Sequence, residues 1–105
     1  MIPRQLLETE LARLHDAVLL TVEVNWADGT IILQTSAAHG SWIIVISGAT
    51  YVQIPRNQPW GPSVCINAIR LQLPKQTLQR IELEMQSGDV ISIEGETLSV
   101  EQRVP

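Results

Sequence analysis

The chain has no phenylalanine, one tyrosine and one cysteine, so its core must be built almost wholly from aliphatic side chains. A lone cysteine, Cys65, excludes an internal disulfide framework, and no cysteine pair stands at the spacing of a structural zinc site. Basic residues are also scarce. Seven Lys and Arg against eleven Asp and Glu leave a net charge of -4 and a pI near 5.0, so a phosphate backbone would meet net repulsion and nucleic acid is not an expected partner. Long apolar runs are missing too. Between Gly29 and Ile54 the only group titrating near neutrality is His39, yet Gln34, Thr35, Ser36, Gly40, Ser41 and Gln53 cut the stretch well short of the roughly 20 apolar residues of a spanning helix. The N-terminus lacks a secretory pattern, because Met1-Ile2-Pro3-Arg4 leads to Glu8, Glu10 and Arg13 instead of an apolar run. A bacterial cytoplasmic protein with no membrane association is the expectation.

Hydrophobic residues at 45% and charged residues at 17% describe an ordinary globular chain, and 105 residues make one domain, 1–105. Leu7, Leu11 and Leu14 fall at i, i+4 and i+7, which predicts an amphipathic helix over about 3–15 with Pro3 in its first turn. The period then changes to two. Val18, Leu20, Val22, Val24 and Trp26 alternate with more polar neighbours, predicting a half-buried strand, and Asp28-Gly29 predicts a two-residue turn that sets Trp26 against Ile31 and Val24 against Leu33. Trp42 to Ile46 is a β-branched run expected in the centre of a sheet and buried on both faces, with Gly48 reading as a bend before Thr50 to Ile54 resumes.

PRNQPWGP, residues 55–62, is a stiff connection, and Val64 to Leu73 restarts the strand pattern, with Val64, Ile66 and Ala68 expected on one face. Leu78 to Gln86 alternates sharply. A two-residue turn after it would expose Ile91 and Ile93, whereas a three-residue turn Gln86-Ser87-Gly88 aligns Leu83 with Ile91 and Ile81 with Ile93, so the latter is predicted. The tail, 95–105, has scattered Leu98, Val100 and Val104, compatible with an edge strand or a frayed end. The predicted class is α+β and β-rich: an N-terminal helix plus a six- to seven-stranded antiparallel sheet of hairpins over about 17–94, covered by the helix or curled into a partial barrel.

Three stretches, LHDAVLLTVEVNWADGTIIL, IPRNQPWGPSVCIN and RIELEMQSGDVISIEG, resemble the landmarks of small bacterial β-rich proteins, largely uncharacterised. Some proteins with a similar HDA-plus-hairpin opening are grouped with immunity proteins of polymorphic toxin systems. The resemblance implies a binding role of immunity type and carries no catalytic set.

Candidate chemistry is sparse. His15-Asp16 are sequence neighbours whose side chains are expected to diverge, which argues against a catalytic dyad. His15, His39 and Cys65 offer too few donors at no ligand spacing, so no metal and no cofactor are expected. Cys65 between Val64 and Ile66 reads as a small hydrophobe, and Asn67 as an amide bonded to the backbone of the PRNQPWGP loop. Trp60 on that loop is read either as a plug of the sheet end or, with Arg56, as a binding anchor. The expected function is non-catalytic: a protein-interaction domain whose acidic face, including Glu82 and Glu84, meets a basic protein partner with Arg56 and Trp60 as anchors. The alternative is a small-molecule-binding cup, or a minor enzyme, lined by His15, Trp26, His39 and Asn67. A homo-oligomer is left open.

Overall fold

The computed structural model describes residues 4–38, 40–57, 61–75 and 77–103. Its element order is α1 (Arg4–Ala12), β1 (Val18–Asn25), β2 (Thr30–Ala37), β3 (Gly40–Ser47), β4 (Tyr51–Gln53), β5 (Ile66–Lys75), β6 (Leu78–Met85), β7 (Val90–Gly95) and β8 (Thr97–Arg103). The helix stops at Ala12, earlier than its apolar spacing predicts, because the next amides reach back only three residues: Arg13 N–H to Glu10 O at 3.2 Å and Leu14 N–H to Leu11 O at 3.0 Å. Leu11 and Leu14 are nonetheless buried, and His15 and Asp16 fall in the turn beyond.

The strands form two four-stranded antiparallel sheets, β1-β2-β3-β8 and β4-β7-β6-β5, so there are eight strands among the described residues and not one sheet of six or seven. Each sheet covers the apolar face of the other. Ile31, Leu33, Trp42, Ile44 and Ile46 from the first meet Ile81, Leu83, Met85, Ile91 and Ile93 from the second in one core, each aliphatic burial contributing about 1.5–3 kcal/mol. The helix packs against β5 and β8 instead of covering a sheet face. The sheets do not close into the partial barrel considered above. Among the described residues one bridge, Val18 to Cys65, ties them together, through Leu19 N–H to Val64 O and Ile66 N–H to Ala17 O, both 2.9 Å.

Several expectations change at points where the backbone gains a residue. The β1–β2 register shifts between Leu19 and Thr21, so Leu19 and Val22 turn to the core while Leu20 is 57% exposed. The first hairpin is also two residues looser than Asp28-Gly29 alone implies. Asn25 pairs with Thr30 and Val24 with Ile31, because the Asn25 side chain accepts the Asp28 N–H at 3.2 Å and only Gly29 takes positive φ, 68°. A shift of two keeps the same faces together, and Trp26 is thereby left in the loop.

Gly48, at φ 63°, is a corner that sends the chain from β3 in one sheet to β4 in the other, not a bend within one strand. In β3 only Trp42, Ile44 and Ile46 are buried; Ile43 and Val45 are half-buried on the other face. A second register shift between Ile66 and Ala68 puts Ile66, Ile69 and Leu71 toward the core and turns Asn67 outward. The three-residue turn after Met85 matches its prediction, with Leu83 opposite Ile91, Ile81 opposite Ile93 and Gly88 at φ 97°. The tail is an edge strand, since β8 pairs with β3 from Thr97 to Arg103.

Candidate interaction site

Eight residues of β1 border a sandwich whose other sheet ends in the three residues of β4, so this side of the core is left partly uncovered. A recess of about 360 Å³ lies there, lined by Val24, Trp26, Ile31, Ala49, Tyr51 and Val52. A second, about 230 Å³, continues along β1 between Leu19, Leu20 and Val22 on one wall and Ile54, Arg56 and Val64 on the other. On the outer face of the hairpin a shallower recess is bordered by Glu23, Trp26, Asp28, Thr30 and Ile32. The exposed large apolar residues among those described are Leu20, Val24, Trp26, Tyr51, Val52, Ile54, Val64 and Leu73, and all but Leu73 border these recesses. Trp26 is 90% exposed. That concentration on one side departs from the usual scatter of single surface hydrophobes.

The outer face of the second sheet has a different character. Arg70 reaches Glu84 at 3.2 Å and Glu82 at 3.5 Å, while Arg80 reaches Glu82 at 3.4 Å and Glu94 at 3.2 Å and lies over the Tyr51 ring. Asn67 donates to Glu84 at 2.6 Å, and the His15 Nδ1–H donates to the Asn67 carbonyl at 2.5 Å. The hydrogen bond from Asn67, then that from Arg70, hold the Glu84 carboxyl below its ordinary range; the bond to Glu94 chiefly raises Arg80. Glu82 and Glu84 therefore belong to a mixed-charge lattice and not to the open acidic face expected from their alternation.

The structure places the remaining candidates as follows. Asn67 bonds to Glu84 instead of the proline-rich loop, because the extra residue in β5 turns it outward. His15 Nε2 and Asp16 Oδ1 stand 3.5 Å apart, against the divergence expected of neighbours, since Asp16 adopts a left-handed φ of 69°. Asp16 Oδ1 also accepts from Gln86 Nε2 at 2.5 Å, and both partners of the pair are exposed. His15 and Asn67 thus meet near the start of β1 while Trp26 follows its end, and among the described residues neither borders the two recesses beside Trp26. Cys65 is half-buried. Arg56 is exposed and borders the second recess; His39 and Trp60, with both roles weighed for the latter, lie outside the described residues.

A buried cluster went unnoticed in the sequence. Asp89, 4% exposed, accepts the Asn57 N–H at 2.8 Å and the Ser87 hydroxyl at 2.9 Å, with Ser63 Oγ 3.0 Å from Ser87 Oγ. It ties the chain after β4 to the β6–β7 turn. Nothing in strand periodicity or in the turn residues Gln86-Ser87-Gly88 reports a carboxylate that folds back on a distant amide. Among the described residues no group of His, Cys, Asp and Glu is arranged to hold a metal ion, and no helix is long and apolar enough to cross a membrane.

No protein-family model matches the chain, and no curated protein does. A solved structure described as an uncharacterised protein from Neisseria gonorrhoeae is similar in fold, with a TM-score of 0.64 at 19% identity over 83% of this chain and 91% of that one.

Proposed function

We propose that this chain is a non-catalytic protein-interaction domain that receives a basic protein partner along the open side of its sandwich, between β1 and β4. The single observation that carries the proposal is the gathering of exposed apolar side chains on that side, headed by Trp26 at 90% exposure. A net charge of -4 favours a basic partner. The resemblance of the HDA-plus-hairpin segment to immunity proteins of toxin systems supports a role of that type in a bacterial cytoplasm. Of the anchors expected from sequence, Arg56 borders this groove, while Glu82 and Glu84 are engaged by Arg70 and Arg80. The interaction reading is preferred to the small-molecule cup because His15 and Asn67 border none of the recesses beside Trp26, while His39 lies outside the described residues.

The test is photo-crosslinking in the native host, with the reactive side chain placed at Val52 in the groove and, separately, at Ser99 on β8. One recurrent protein adduct at Val52 and none at Ser99 is expected. Equal labelling at both positions, or no protein adduct at Val52, overturns the proposal.

A further inference from the structure

We infer, resting on that interaction role, that the partner presents an extended segment which adds to the free edge of β1 as a fifth strand, with apolar side chains alternating with a basic one. β1 is a terminal strand, and its only bridge to the other sheet among the described residues is spent at Val18. The register with β2 is regular from Thr21 to Asn25, an accessible edge of about 16 Å at ~3.3 Å per residue. An added strand gains main-chain hydrogen bonds there and sends alternate side chains to opposite faces.

The two faces differ in chemistry. Inward, Val22 and Val24 share the core-facing side with Leu33 and Ile31, and the recesses beside them are walled by Val52, opposite the core residue Ile93, and by Ile54, so inward side chains of the segment are apolar. Outward stand Glu23 and Asp28, bordering one recess together with Trp26, whose side chain is almost wholly exposed. Neither carboxylate has a cation beside it among the described residues; Glu23 accepts only a 3.4 Å contact from Gln34 Nε2. Two carboxylates beside an exposed indole suit a guanidinium or ammonium that stacks on the ring.

Charge also decides against a second copy of this chain as the occupant. A two-fold antiparallel pairing centred on the regular stretch Thr21 to Asn25 sets Glu23 against its own copy, a like-charge pair that destabilises a strand pairing.

The experiment titrates isotope-labelled protein with a synthetic alternating Thr/Val peptide of about nine residues carrying a central Arg. Two analogues accompany it: citrulline in place of Arg, and N-methylation of the amides that would face β1. The expected result is amide shifts and slowed exchange confined to β1 and the Trp26 indole. The citrulline peptide should bind about 5- to 10-fold more weakly, as should the Arg peptide to the E23Q/D28N protein. The N-methylated peptide should not bind. Equal affinity of the citrulline peptide overturns the basic position, and equal affinity of the N-methylated peptide overturns strand addition. No binding at millimolar peptide, shifts centred on β4 or β8, or concentration-dependent pairing of the free chain through β1 overturns the whole inference. A crosslinked partner found at Val52 alongside failure of these peptides removes strand addition and leaves the interaction role standing.

Discussion

The molecule carries acidic side chains on two strand surfaces that look alike as sequence and behave differently as structure. On the outer face of β5 and β6, Glu82 and Glu84 are matched by Arg70 and Arg80, and Asn67 adds a hydrogen bond to Glu84. On the β1–β2 hairpin, Glu23 and Asp28 have no such cation among the described residues and border a recess with Trp26, which is 90% exposed. The first surface has satisfied itself and gains little from a partner. The second leaves its charges and its apolar area exposed, which is what the proposed interaction role draws on. An acid in an alternating strand is thus informative about docking only once its cross-strand neighbours are known.

The comparison can be broken most drastically through the core that supports both surfaces. Trp42 is fully buried and its Nε1–H donates to Glu10 at 3.3 Å, so Trp42→Ala should cost about 3–5 kcal/mol in a denaturant melt; an unchanged midpoint would contradict the packing described. Next in size, Gly88→Val should cost about 1–3 kcal/mol, because φ 97° is a conformation a β-branched residue resists. Arg70→Met should cost up to about 1 kcal/mol, the usual ceiling for a partly exposed ion pair, and should leave Glu84 without a cation. Trp26→Ser sharpens the contrast. Stability should move by less than about 0.5 kcal/mol while peptide binding to β1 is lost, and a large drop in melting temperature would assign the ring to the fold instead.

The smallest effect is a pH dependence. A carboxyl whose folded pKa is depressed contributes stability above its unfolded value and loses it as pH falls through the folded value. Glu84 is such a group, so the advantage of wild type over Glu84→Gln should be present at neutral pH and fade below the ordinary glutamate range, about 4.3. A gap between the two melting curves that stays constant through that range would contradict the lattice.

Periodicity and turn chemistry made part of this legible. The pairing of Ile81 and Leu83 with Ile93 and Ile91 followed from requiring apolar faces to coincide, because a slip of one residue would expose Ile91 and Ile93. Leu20 and Asn67 were misplaced for one reason: each sits where a strand carries an extra residue, and a bulge reverses the faces without leaving a mark in composition. Two sheets instead of one hinge on Gly48, whose positive φ turns a corner that resembles a bend when only residue types are visible. For the site, Trp26 and Arg56 were among the candidates, but the groove joins β1 to a segment about thirty residues away, and such a juxtaposition lies beyond any local pattern.

The grip of Asp89 on the chain after β4 has a consequence for how this protein can vary. What the carboxylate holds is the peptide N–H at Asn57, not the asparagine side chain. Any residue except proline offers the same handle at that position. That contact is therefore indifferent to the side chain at position 57, which can be exchanged while its backbone stays moored to the β6–β7 turn. Sequence can thus drift at position 57 without rebuilding the sandwich beneath it.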